Sequence, residues 1–250
     1  MPPKGSSSAK QSERIELSSS KPDGVTLASY LTDHLRSDIL NGVLSPGSKV
    51  RIDALRAQFG ISLSPVREAL SRLAAQGLVI GQENHGFRIS EVSRENIAEI
   101  TSLRCNLEGL AIEASVRNGD DEWEDRLVAI FHRLTRIEQR SDEFGRLEEW
   151  EIAHSDFHMA LISACGMPLL LMFCEVLHDH NNRYRRLFLK KNPSQRNVAQ
   201  EHKQIMDAVL ARDAERAKEL LQKHVARTGK GIYEVMPPRQ ELQAKRRRSR

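Results

Sequence analysis

Two short apolar stripes, separated only by Gly60-Ile61-Ser62, constrain this 250-residue chain more than any other feature. Residues 52–59 read as one helix, with Asp53 in the first turn and Gly60 as its stop. Ser64-Pro65 opens the next helix. Serine is a good cap, and proline at the first helical position needs no donor. Val66, Ala69, Leu70 and Leu73 supply its apolar face, and Gly77 ends it.

The flanking residues complete a pattern. Leu27, Leu31, Leu35, Ile39 and Leu40 recur at helical spacing, so 27–41 reads as an amphipathic helix with Gly42 as its C-cap. Pro46-Gly47 makes the following turn. Leu78-Val79-Ile80 is a short β run, 82–86 a polar turn, and Phe87-Arg88-Ile89 the returning strand. Three helices and a hairpin over 25–90 describe a winged helix-turn-helix, whose third helix presents its N-terminus to a DNA groove. That end carries partial positive charge and suits a phosphate or an acceptor-rich base edge. The whole-chain charge of +4 permits a nucleic-acid partner without demanding one. Within 25–90, seven basic residues face five acidic ones.

Beyond residue 93 the chain reads as wholly helical up to about 235. The helices expected are 93–118, 121–139, 143–164, 168–189, 196–211 and 213–233, broken at Asn118-Gly119, at Gly166 with Pro168, and at Asn192-Pro193. The fold class is therefore mainly α: a winged helix-turn-helix followed by an all-helical antiparallel bundle. Residues 1–24 are Ser-, Lys- and Pro-rich and read as disordered, as does the basic tail 236–250. That tail is either simply solvated or adds phosphate contacts. Three cysteines without paired spacing, no visible signal peptide and no membrane span point to a cytoplasmic protein.

Four histidines stand out in the helical region. His154 and His158 lie one turn apart on one helix face, a spacing that places two imidazoles on one metal. His202 sits beside Ile205 and Met206, and His224 beside Leu220, Leu221 and Val225. Four histidines on core-facing stripes favour a shared site. His178 and His180 are two apart, point to different sides of a helix, and read as surface or interface residues. A metalloenzyme would also use such a cluster. However, no HExxH motif occurs, and Glu201, although adjacent to His202, is expected to face elsewhere.

The first region resembles the GntR family of bacterial repressors. The resemblance rests on 44–50, Leu55, the run Gly60-Ile61-Ser62-Leu63-Ser64-Pro65-Val66-Arg67-Glu68-Ala69-Leu70, Leu73 and Gly77-Leu78-Val79. It implies a dimer on an inverted-repeat operator. It also implies that Arg67 contacts DNA from the recognition helix, that Ser62, Ser64 and Pro65 sit near backbone and base edges, and that His85-Gly86 forms the wing tip. Leu63 and Asp53 depart from arginines found in relatives, and Arg51, Arg56 and Arg72 are candidates to supply the missing charge. Arg56 and Arg72 are equally consistent with plain solvation, and Arg67 with an ion pair to Glu68 or Asp53.

The second region is similar to the FCD ligand-binding domain of the FadR subfamily. Its marks are Arg104 with Leu107-Glu108, Phe157-His158, Glu201-His202, Ala208 with Asp213, and His224. That likeness implies a divalent metal on His158, His202 and His224, with His154 where aspartate is commonest. His154 then either completes an all-histidine site or swings away. Imidazole ligands suit zinc first, with nickel or copper next. The metal leaves room for a small carboxylate effector, toward which Arg104 and one of Arg183, Tyr184 and Arg185 are expected to contribute. Asp121-Glu122-Trp123-Glu124, the His154–His158 pair, Arg183-Tyr184-Arg185 and Leu63 are together similar to the carbon-starvation-induced, glutarate-responsive branch, which implies a short dicarboxylate. A purely structural metal without effector control is the remaining alternative.

Overall fold

The computed structural model describes residues 24–83, 85–139, 147–189 and 196–238. The chain divides into two compact units whose main boundary lies between Ser90 and Glu91, with the short stretch Leu40–Val43 grouped with the second.

The first unit packs three helices against a small sheet. Helix α1 spans Leu27–Leu40, α2 Ile52–Phe59 and α3 Leu63–Ala75. Leu31, Leu35 and Ile39 of α1 and Val66, Ala69, Leu70 and Leu73 of α3 are buried, so the stripes read from sequence are the core. Each such Leu or Ile contributes about 1.5–3 kcal/mol on burial. Gly60 ends α2 in the left-handed conformation (φ 64°), and its N–H and that of Ile61 both return to the Arg56 carbonyl. The tight joint therefore needs glycine at that position.

The start of α3 corrects the sequence reading. Ser62 is the N-cap and Leu63 the first helical residue, which puts Pro65 at the third position rather than the first. Proline is tolerated there because the first-turn N–H groups lack intrahelical acceptors anyway.

Strands β2 (Val79–Gln82) and β3 (Gly86–Ile89) form the expected hairpin, with Val79 opposite Ile89. A third strand that the sequence reading missed, β1 (Lys49–Val50), pairs antiparallel with β3, giving the order β1-β3-β2. Two residues carry too little periodicity to announce a strand.

The second unit is helical: α4 Arg94–Asn118, α5 Asp121–Glu138, α6 Leu147–Ile162, α7 Pro168–Tyr184, α8 Val198–Leu210 and α9 Ala214–Val235. Ser93, Asp120, Asn197 and Asp213 cap four of these by accepting from the N–H three residues on. Helix α7 runs on into a π-helical turn at Arg185–Leu189, where the sequence suggested a single α-helix. The expected start of α6 at 143–146 and the break at Asn192-Pro193 lie outside the described residues, as do most of the two tails. Met236, assigned to the tail from sequence, is buried and closes α9.

Helices α4 and α9 run antiparallel along their length. Lys218 pairs with Glu113, the Cys105 carbonyl accepts from Gln222, and Arg94 reaches the Met236 carbonyl. They approach closely because Gly229 faces Thr101, where a Cβ would overlap the Thr101 side chain. Around this pair Ile112, Trp123, Leu127, Phe157, Ile205 and Leu221 form the main core. No helix among the described residues is long and apolar enough to cross a membrane.

Candidate functional site

The candidates for DNA contact are exposed or half-buried residues of the first unit. Ser62, Leu63, Ser64 and Arg67, from the α3 cap through its first turns, are exposed, and Pro65 is half-buried. Among the described residues Arg67 has no ion pair. Glu68 is taken by Arg72 at 2.7 Å and Asp53 lies 3.4 Å from Arg56, so the two carboxylates named as competitors for Arg67 are engaged elsewhere. Arg72 also donates to Ser29 at 2.9 Å, which braces α3 against α1. Arg51 is exposed just before α2. His85 is exposed at the hairpin tip, and Gly86 beside it has φ 78°, a backbone that favours glycine.

The four histidines of the helical unit do converge. His154 and His158 come from α6, His202 from α8 and His224 from α9, all buried, with one ligand atom from each within 4.8 Å of the others. Each takes a core-facing place on an amphipathic helix, as with Leu221, His224 and Val225 on α9.

Carboxylates from other helices brace two of the rings from outside. Glu138 accepts from His202 Nδ1 at 3.0 Å and from Trp150 at 3.3 Å. Glu201 accepts from His224 Nδ1 at 2.9 Å, with Arg196 at 2.7 Å and Arg227 at 3.1 Å. Glu201 was expected to face away; instead its carboxylate reaches across to α9. Arg196 Nη2 also lies 3.2 Å from His224 Nδ1, but its closer partner is Glu201, and the Glu201–His224 contact is the shorter of the two at that nitrogen, so a proton held at Nδ1 leaves the Nε2 lone pair of His202 and His224 available to a cation. The buried Nε2 of His202 and both ring nitrogens of His158 have no hydrogen-bond partner among the described residues.

His154 is held in the opposite sense. Arg185 donates to its Nδ1 at 2.9 Å and to Glu151 at 3.1 Å, and its guanidinium stacks 4.6 Å above Trp150. Guanidinium only donates, so His154 Nδ1 accepts.

Burial drives the protonation states. Loss of solvent holds His154 and His158 well below the ordinary imidazole value, reinforced by neighbouring positive charge. Burial likewise lowers His224 to about 3, against the opposing pull of Glu201. For Glu201 burial acts upward, but hydrogen bonds from His224 and Arg196 outweigh it and hold the carboxyl at about 2. His154, His158 and His224 are therefore held as neutral imidazole, the form that binds metal.

The residue set fits a borderline-soft divalent cation. Four nitrogens around zinc lie roughly 3.3 Å apart at ordinary bond lengths, so a modest contraction suffices. Orphaned buried nitrogens and carboxylate-braced rings are what such an ion would satisfy.

Of the residues expected around an effector, Arg104 and Arg185 contact histidine rings. Arg104 is buried, its fork bidentate on Glu108 at 2.6 and 3.1 Å, and its Nη2 lies 3.4 Å from His178 Nδ1. Arg183 is buried in α7. The Tyr184 hydroxyl is spent on Asn96 and on the backbone of Ser93. His178 corrects the sequence reading: it is 2% exposed, with its ring 5.6 Å from that of His158. Cys174, His178, Asn181, Asn182 and Arg185 share one buried face of α7, a helical spacing that was present in the sequence. His180 is half-buried.

Comparison with known proteins is consistent across both units. The bacterial regulatory proteins, gntR family, model matches 27–89, and the FCD domain model matches 99–227. An uncharacterized HTH-type transcriptional regulator, BphR, of Paraburkholderia xenovorans is 42% identical over 193 residues, covering 76% of this chain and 79% of its own. The HTH-type transcriptional repressor GlaR of Escherichia coli is 33% identical over 195 residues, covering 76% and 89%. Among solved structures, E. coli McbR/YncC shares the fold at a TM-score of 0.70 and 22% identity, covering 84% of this chain and 98% of its own. These relatives are transcriptional regulators, not enzymes.

Proposed function

The chain belongs to the GntR family of bacterial DNA-binding transcriptional regulators and carries an FCD domain, and from that premise we propose that it is a metal-dependent, acid-responsive repressor. It binds an inverted-repeat operator as a homodimer in the cytoplasm. Arg67, the α3 N-terminus at Ser62, Ser64 and Pro65, and the wing at His85-Gly86 read DNA, with Arg51 and Arg72 at the phosphates. His158, His202 and His224 hold a divalent metal, zinc before nickel, and His154 joins them when Arg185 lets go. A metal there supplies a Lewis-acidic position for one carboxylate of a short mono- or dicarboxylic acid. Arg104, Arg183 and Arg185 supply positive charge around that acid. Tyr184 secures the start of α4 and stands outside the acid's contacts.

The observation that carries this reading is the Arg185–His154 hydrogen bond. With His154 so engaged, His158, His202 and His224 would be the residues left to hold a cation, which would supply Lewis-acid attraction for a carboxylate. Acid binding changes the operator affinity only in so far as the acid prefers one pose of the DNA-reading units.

A second reading, a closed structural metal, draws on the same cluster, since four histidine nitrogens are enough to fill a tetrahedral site. Metal analysis of the purified chain, joined to operator-binding titrations with and without acid, separates the two. The repressor reading expects one metal per chain and acid-dependent release. If neither acid nor chelator changes operator affinity, that reading fails.

A further inference from the structure

We infer that His178 orients the effector: its Nε2–H donates to an oxygen of the bound carboxylate, and it is not a metal ligand. The inference rests on the reading of the cluster as a carboxylate receptor and assigns that receptor a specificity residue.

His178 projects from α7 toward α6, its ring 5.6 Å from His158 and 6.3 Å from His154. It is not among the four residues whose nitrogens converge. It flanks the cluster on the His154–His158 side.

The proton can be placed by chemistry. Arg104 Nη2 lies 3.4 Å from His178 Nδ1, and guanidinium has no acceptor. Nδ1 therefore accepts. An imidazole nitrogen that accepts from a guanidinium holds no proton of its own. A neutral ring that accepts at Nδ1 carries its proton at Nε2.

That Nε2 is buried and has no hydrogen-bond partner among the described residues. A buried donor left unmet is costly, so one that persists beside a ligand site is best explained by a ligand acceptor. Ligation through Nε2 would strip both ring nitrogens of protons while Arg104 still donates to Nδ1. Donation is the role the geometry leaves. A carboxylate is all acceptor and complements it.

Arg104 then changes role. Glu108 takes its Nε and one Nη2 proton, and the other Nη2 proton sets the His178 tautomer. Arg104 is a positioning residue for His178, and Glu108 positions Arg104.

The test uses the full chain loaded with zinc, and acetate, succinate and glutarate as probes. Calorimetry gives acid affinity, elemental analysis gives metal content, and thermal melting confirms folding. His178→Ala is expected to keep its metal and bind the acid that binds best about tenfold or more weakly. His178→Gln, whose amide N–H sits near the place of Nε2–H, is expected to recover part of that loss; His178→Asn is not. Two-bond proton–nitrogen correlation on histidine-labelled protein is expected to report the Nε2–H tautomer at residue 178. Loss of metal in folded His178→Gln overturns the inference by making His178 a ligand, and undiminished acid affinity in His178→Ala overturns it directly. Failure of all three acids to bind the unaltered zinc protein instead defeats the receptor reading, and the role of His178 with it.

Discussion

Arg185 joins His154 to Glu151: its Nη1 is 2.9 Å from the imidazole Nδ1 and its Nη2 is 3.1 Å from the carboxylate. One cation thereby neutralises a buried acid and occupies a nitrogen of one histidine in the candidate metal cluster. Arg185→Ala separates the two tasks. Removing one partner of a buried pair costs about 3–5 kcal/mol, so the melting temperature is expected to fall. The freed His154 is expected to tighten zinc binding, measured by competition with a chromophoric chelator. A variant that melts lower yet binds zinc no more tightly removes Arg185 from control of the site.

Glu138 and Glu201 touch the Nδ1 of His202 and His224. Glu138→Gln and Glu201→Gln keep shape but lose the charge that favours Nδ1–H on His202 and His224. Each is expected to weaken zinc affinity by about 10–100-fold. His202→Ala is expected to lose metal and acid response together, read by elemental analysis and operator titration. Unchanged stoichiometry would take His202 out of the site.

Arg67 is exposed and makes no ion pair among the described residues, so the folded chain does not depend on it. Arg67→Ala is expected to leave the melting temperature and circular dichroism unaltered, within about 0.5 kcal/mol. Specific operator affinity is expected to drop by about 1–3 kcal/mol, seen as loss of discrimination between operator and scrambled DNA. Arg72→Ala, which breaks the contacts to Glu68 and Ser29, is expected to affect stability as well.

Gly229 lets α9 lie against Thr101 of α4. Gly229→Ala forces the helices apart and is expected to cost about 1–3 kcal/mol in chemical denaturation. Thr101→Ala in the same chain is expected to return part of it. Additive losses would place the clash elsewhere.

Much of this was legible in the sequence, for physical reasons that can be named. Helical periodicity and glycine stops located the helices of the first unit because those residues must bury one stripe each. The His154–His158 spacing announced a shared face because four residues complete one turn. The Arg104–Glu108 pair has the same spacing and was equally readable. The braces were not: Glu138 lies 64 residues from His202, and Glu201 lies 23 from His224, so only tertiary packing brings them together. His178 was missed because its neighbour two positions on was weighed with it, whereas its true companions are Cys174, Asn181 and Arg185 along the helix. The cap of α3 slipped by two residues because two serines competed and proline is tolerated at either resulting position.

The π turn that follows Tyr184 begins between two anchored side chains. Arg185 grips His154 and its immediate neighbour Tyr184 grips Ser93 and Asn96, three residues or more past Ser90 where the first unit ends. One peptide bond separates the two grips. Adjacent residues thus anchor the histidine cluster on one side and the first turn of the helical domain on the other.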